Sequence, residues 1–289
     1  MTYCYLFLAM FFSAAITVGA RLYNNRNARR TDVSMLYNFL YPLFASLGWL
    51  IFWIMDFSFD ARVLPYALIY GVGYSCFTIG MLGALKAGST AITALVKQLA
   101  FVGVSIWGFF FWDTQFSILS GIGLVLIVLS LSLCLVTKDK ENHSGNTLKW
   151  AFHALLIFCG NAACSIVQRY QQMHFDYRHK NMLMFFGVFI ATIVCFVISL
   201  KENKAHWSGA LKSAWFCPAF AGLSSAVCNL FMLLLVKENM SPVIMYPGIA
   251  VGGLMLTIIV SLVCFRDKLR RMQWWGLAVG TVALILLNL

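Results

Sequence analysis

Nine stretches of this chain contain no Asp, Glu, Lys or Arg: 1–20, 33–55, 63–85, 114–137, 150–168, 181–200, 213–236, 239–265 and 272–289. A tenth, 87–112, is interrupted by one charge, Lys97. At ~1.5 Å of helical rise per residue, each is about long enough to cross a ~30 Å hydrocarbon core. Only helices and closed barrels satisfy their backbone hydrogen bonds in lipid. Barrel strands would be ~10 residues long and alternate in polarity, which these stretches do not. With 11% charged residues and a mean hydropathy of +0.83, the chain could not cover the surface of a soluble domain of this size. The expected class is all-α: a polytopic membrane protein with ten transmembrane helices.

The net charge of +11 invites a nucleic-acid partner, but the distribution of the basic residues argues otherwise. If ten spans alternate across the bilayer, fifteen Lys and Arg fall on one side and five on the other. That bias is the positive-inside pattern of an integral membrane protein and places both termini outside. No basic residue precedes the first span and no small-residue cleavage pattern follows it, so it is expected to remain as a span. A bacterial inner membrane is the expected location, with the lipid bilayer and a small-molecule substrate as partners and a monomer or homodimer as the assembly. The nine cysteines are scattered without a CxxC pair and read as small apolar residues, with no metal or cofactor site.

The longest polar interval, 138–149 (KDKENHSGNTLK), lies after five spans and before five more. Residues 1–137 are therefore expected to form one five-helix repeat, 138–148 a linker and 149–289 a second repeat. An odd number of spans per half forces the halves to insert in opposite orientations, the inverted repeat of secondary transporters, with the binding site near the midplane. The halves share faint patterns. Ser13, Thr17 and Arg21 recur at the spacing of Asn161, Ser165 and Arg169, and Ala14-Ala15 matches Ala162-Ala163. Gly248–Gly252, Gly276–Gly280 and Ser117–Gly121 are small-residue pairs that let helices approach closely. Pro247, five residues after Pro242, predicts a broken helix.

Lys97 lies about ten residues, roughly 15 Å, from the start of its span. Its stem reaches ~6 Å, too short to snorkel to either surface. A cation at that depth costs ~2.5–3.5 kcal/mol on insertion scales. No span contains a carboxylate to pair with it, so it must face a wet cavity, meet an anionic ligand, or be held by carbonyls and hydroxyls. Helical spacing favours the cavity. Thr90 and Thr93 share the face of Lys97; Asn38, Tyr41 and Trp49 form a stripe on the second span; Tyr70, Tyr74 and Thr78 form one on the third. Ser13 with Thr17, Asn161 with Ser165, and Ser225 with Asn229 are i, i+4 pairs, and Tyr246 precedes Pro247. The substrate-binding candidates are Lys97, Thr93, Asn38, Tyr41, Tyr74, Thr78, Asn161, Ser165, Asn229 and Tyr246. Interhelical hydrogen bonding is the alternative reading of any single stripe.

The ten spans, their division into five and five, and the recurring span, acidic turn and Gly-bearing span (FFFWDTQFSILSGIG and VCFRDKLRRMQWWGLAVG) resemble the drug/metabolite transporter superfamily in its EamA-type ten-helix form. The resemblance covers nearly the whole chain. It implies four helices of each repeat around a central cavity and a fifth at the periphery. It also implies both termini in the cytosol, against the charge count. STAITALVKQLAF is similar to the stretch of plastid sugar-phosphate translocators in which a lysine contacts substrate phosphate, with Thr93, Val96, Lys97, Leu99 and Phe101 fitting loosely. Those translocators add a Lys-Arg pair in the ninth helix, where this chain has Gly253-Leu254. A single carboxylate or a zwitterion is thus better provided for than a doubly charged phosphate. The small multidrug-resistance branch relies on a glutamate in its first helix; FFSAAITVG has none.

The expected function is secondary transport of a small polar metabolite, an amino acid or organic anion, by alternating access. The alternatives are a quaternary-amine transporter with an aromatic cage, a sugar-phosphate-like exchanger, a lipid-linked-sugar flippase and a membrane-embedded enzyme. An enzyme is the least expected, because the five His are dispersed and no HExxH occurs. His153 is expected at the interface. No GxxxxGK[ST] motif is present to bind ATP.

Overall fold

A computed structural model describes residues 1–27, 34–87, 90–112, 117–135, 147–200, 207–265 and 271–286. The described residues form helices and no strands: α1 (Thr2–Arg26), α2 (Ser34–Met55), α3 (Leu64–Ala87), α4 (Thr90–Phe111), α5 (Ile118–Leu135), α6 (Thr147–His174), α7 (Lys180–Ser199), α8 (Trp207–Ala214), α9 (Phe216–Lys237), α10 (Pro242–Phe265) and α11 (Arg271–Leu286). Seven of them, α1, α2, α3, α6, α7, α9 and α10, are long and apolar enough to cross a membrane. Three shorter apolar stretches, Val96–Phe111, Ile118–Leu133 and Trp274–Leu286, lie within α4, α5 and α11. The protein is thus an all-helical, polytopic membrane protein. The short α8 has no counterpart among the sequence expectations, because its eight residues carry too little apolar length to signal a span.

Large apolar side chains face outward on most of these helices, among them Phe11, Ile51, Ile69, Val125, Ile193 and Phe220. In water such a surface would aggregate; in a bilayer, lipid covers it. Association of the helices then depends on close packing rather than on hydrophobic burial. A Cβ built on Gly160 of α6 would stand 2.5 Å from the carbonyl oxygen of Gly73 on α3. One on Gly222 of α9 would stand 2.5 Å from the carbonyl of Tyr41 on α2. Only glycine permits those approaches. The Gly276–Gly280 pair does pack a seam: Ser130 of α5 donates to the Gly276 carbonyl at 2.7 Å, and Gly280 leaves room for the same hydroxyl.

The main pairings are α1 with α9 and α10, α2 with α7 and α9, α3 with α6 and α7, α4 with α6 and α10, and α5 with α11. One buried cluster joins α1, α4, α9 and α10 through Leu6, Val104, Met232 and Ile249. A second joins α2, α3, α7 and α9 through Trp49, Tyr70, Met184 and Leu233.

The break expected at Pro247 does not occur, and α10 runs through it to Phe265. Pro247 is the sixth residue of that helix, so only one intrahelical bond is lost, while Tyr246 and Ile249 on either side are held in packed surroundings. Pro218 lies in the first turn of α9, where its missing N–H has no partner to lose. Before α3, Asp60 caps a single 3-10 turn, Ala61–Val63, by accepting the Arg62 amide at 2.9 Å. The Arg62 guanidinium closes on the same carboxylate at 2.7 Å. Those hydrogen bonds hold the Asp60 carboxyl down to about 2.

Candidate substrate-binding cavity

Lys97 is the half-buried residue at the junction of two connected spaces. The larger, about 380 Å³, runs from Lys97 toward Ala20, Tyr37, Met81 and Thr257. The smaller, about 90 Å³, runs the other way, toward Gln168, Ser225 and Asn229. Ser13, Ile16, Tyr41, Phe77, Lys97 and Gln98 line both. A helix that is apolar almost throughout can carry a lysine here because its side chain enters this space and not the lipid.

The surroundings of Lys97 are aromatic and neutral. Its ammonium lies 5.9 Å from the centre of the Phe77 ring. The side-chain amide of Asn161 donates to its backbone carbonyl at 3.1 Å. Among the described residues Lys97 makes no ion pair. Tyrosines form one wall: Tyr37 stacks on Tyr41 at 6.0 Å, Tyr41 on Tyr74 at 6.5 Å, and Tyr74 on Tyr70 at 6.1 Å. The Tyr41 hydroxyl donates to Ser225 at 2.9 Å, tying α2 to α9. The buried Tyr74 hydroxyl faces that of Tyr41 and makes no other hydrogen bond among the described residues.

The narrow end is built from amides. Gln168 donates to the Asn229 side-chain oxygen at 3.0 Å, and Asn229 donates to the Ser225 carbonyl at 2.9 Å. The Ser165 hydroxyl bonds back to the Asn161 carbonyl at 3.3 Å. Arg169, 8% exposed, lays its guanidinium 5.0 Å from the Trp112 ring and donates to the Met240 carbonyl at 3.3 Å. Alongside, Tyr177 donates to Asn239 at 2.8 Å, both residues in the left-handed backbone region at φ 62° and 53°. At the wide end Ala20, Tyr37, Met81 and Thr257 are partly buried. The space is thus wide toward Ala20 and Thr257 and narrow toward Arg169.

Of the residues expected from sequence, Lys97, Asn38, Tyr41, Tyr74, Thr78, Asn161, Ser165 and Asn229 all line these two spaces. The Thr78 hydroxyl is turned onto the Tyr74 carbonyl at 2.8 Å. Thr93 is one turn before Lys97 on α4, and its side chain lies outside the described residues. Tyr246 is not in the wall. It stacks behind Phe101 at 6.1 Å, and its hydroxyl donates to the Ser165 carbonyl at 3.2 Å. Gln98 and Gln168 line the site without having been expected; glutamines inside apolar spans were the available signal. The His153 ring, near the start of α6, packs against Gly83 near the end of α3. Among the described residues no cluster of three His, Cys, Asp or Glu could hold a metal ion.

No protein-family model matches the sequence, and no curated protein does. The fold is nevertheless shared with a solved structure, described only as "Crystal structure of protein", at a TM-score of 0.76 over 99% of this chain and 96% of that one. The two sequences are 12% identical.

Proposed function

We propose that the chain is a secondary transporter that moves a small metabolite with one anionic group, an organic anion or an amino acid, by alternating access. The observation that carries this reading is Lys97: among the described residues the one cation lining the cavity and without a carboxylate partner, at mid-span, with walls of neutral amides, hydroxyls and aromatic rings. Charge-assisted hydrogen bonds to a substrate carboxylate would compensate its desolvation. The reading takes the chain as neither an enzyme nor a nucleic-acid binder, and its membrane as a bacterial inner membrane.

The helix pairings support ten spans in two inverted repeats, as in the drug/metabolite transporter superfamily. Exchange α1 for α6, α2 for α7, α3 for α9, α4 for α10 and α5 for α11. The α1–α9 pairing then becomes α6–α3, α2–α9 becomes α7–α3, and α1–α10 becomes α6–α4, while α2–α7, α4–α10 and α5–α11 are unchanged. Five helices per half make the relation an inversion. The wide end of the cavity lies on the side of Arg26 and the other residues of the basic-rich set, so by the positive-inside rule it is the cytoplasmic end.

The reading is tested by uptake and binding in proteoliposomes carrying wild-type protein or Lys97→Gln. Loss of both for every anionic substrate accepted by the wild type is the expected result. Unchanged binding in Lys97→Gln overturns it.

A further inference from the structure

A second cavity, about 240 Å³, lies beside the first and meets it at Asn38 and Thr78, which line both. Its walls are apolar: Met35 of α2, Ile79 of α3, and Cys195 and Ile198 of α7. Its end is formed by the His153 ring, seated where a side chain on Gly83 would have to stand. Among the described residues no Asp, Glu, Lys or Arg lines it.

Its position follows from the packing. α2 and α3 share no substantial interface, and α7, packed on both, closes the seam between them from behind. Near the last turn of α7 that seam is left unfilled. The matching seam between α7 and α9, backed by α2 at the opposite face, is filled by Asn181, Met184 and Leu233, all buried. Asn181 is fixed there by a hydrogen bond to the Phe52 carbonyl at 3.1 Å. The void therefore belongs to the wide end and is not repeated in the matching seam. Protein interiors are close-packed, and an apolar void forfeits contacts on every wall. The helix surfaces beside it carry lipid-facing side chains, Phe152 on α6 and Phe196 and Val197 on α7.

We infer that this seam is a second subsite, which takes an unbranched apolar chain while the anionic head of the same molecule lies at Lys97. The substrate class is then an amphipathic monocarboxylate. This inference rests on Lys97 being the anion site, and it narrows that reading. The polar mouth at Asn38 and Thr78 separates the two environments, head on one side and chain on the other.

The test uses the full chain in detergent and the straight-chain series butyrate, hexanoate, octanoate and decanoate, with binding measured calorimetrically. Affinity of the native protein is expected to rise at least about tenfold from butyrate to octanoate, as burial of apolar chain requires. Ile79→Trp, which fills the seam, is expected to bind butyrate as the native protein does and to lose that rise. Cys195→Phe serves the same purpose from the opposite wall should the tryptophan variant not fold. A flat series in the native protein overturns the inference. So does an equal rise in the filled variants, which would mark partition into the micelle. Lys97→Met separates the two readings: butyrate binding that survives it removes the anion site, whereas a chain-length effect that survives seam filling removes the subsite alone.

Discussion

The side-chain amide of Asn161, on α6, donates to the backbone carbonyl of Lys97, on α4, across 3.1 Å. That carbonyl also belongs to the hydrogen-bond ladder of α4, so Asn161 takes its second lone pair. The bond joins the two halves of the chain at the level of the only charge in the span. It sets the height of α4 against α6, and with it the depth at which the ammonium stands.

Lys97→Met is expected to fold, with thermal stability equal to or above that of the native chain, because it removes a cation from mid-membrane. Anion binding should fall about 10- to 100-fold, the equivalent of a charge-assisted hydrogen bond worth about 1.5–3 kcal/mol. Thermal unfolding and calorimetric titration with a monocarboxylate check both halves.

Asn161→Leu should lower affinity several-fold without abolishing it. One neutral hydrogen bond contributes about 0.5–1.5 kcal/mol, and its loss lets α4 shift rather than removing the cation. Binding of the same carboxylate in this variant and in Lys97→Met would separate positioning from direct contact.

Arg169→Ala should loosen the narrow end. The guanidinium joins α6 to the Trp112 ring after α4 and to the Met240 carbonyl before α10. Cys228 lines the narrow space below it. With Cys228 as the sole cysteine, a membrane-impermeant thiol reagent should label the parent faster from the wide end, and the Arg169→Ala variant at nearly equal rates from both. A rate ratio unchanged by the substitution would show that Arg169 does not hold the narrow end shut.

Gly160→Leu should prevent stable assembly of α3 on α6. Its side chain would have to occupy the space of the Gly73 carbonyl and the Phe77 backbone, which cannot rotate away. Overpacking of this kind costs about 1–3 kcal/mol or more, and a lowered unfolding temperature would register it.

The Asp60 carboxyl, outside the spans, should titrate at about 2, and in Arg62→Gln it should return toward 3.8. The sign follows from a folded-state pKa below the unfolded one. The cap on the 3-10 turn is complete above the unfolded value and is lost as pH falls through about 2. Carbon-detected NMR of the carboxyl group measures both values.

The length and apolarity of the spans, and the stripes within them, were legible in the sequence because both are local. A helix repeats every 3.6 residues, so Asn161 with Ser165, or Tyr70 with Tyr74 and Thr78, declare a shared face without reference to any other helix. Lys97 declared a cavity for the same reason, since its depth follows from counting residues and its cost from lipid. Other features depend on how neighbouring helices are rotated and spaced, which no local period encodes. Tyr246 looked like a wall residue and lies one layer behind it, because Phe101 occupies the intervening position. Pro247 looked like a break and is accommodated, because the packing around α10 holds the helix on both sides of one missing bond. The narrow end at Arg169 and the unfilled seam between α2 and α3 are decided only by which helices meet and how closely, a matter of glycines such as Gly73 and Gly160 facing each other from distant parts of the chain.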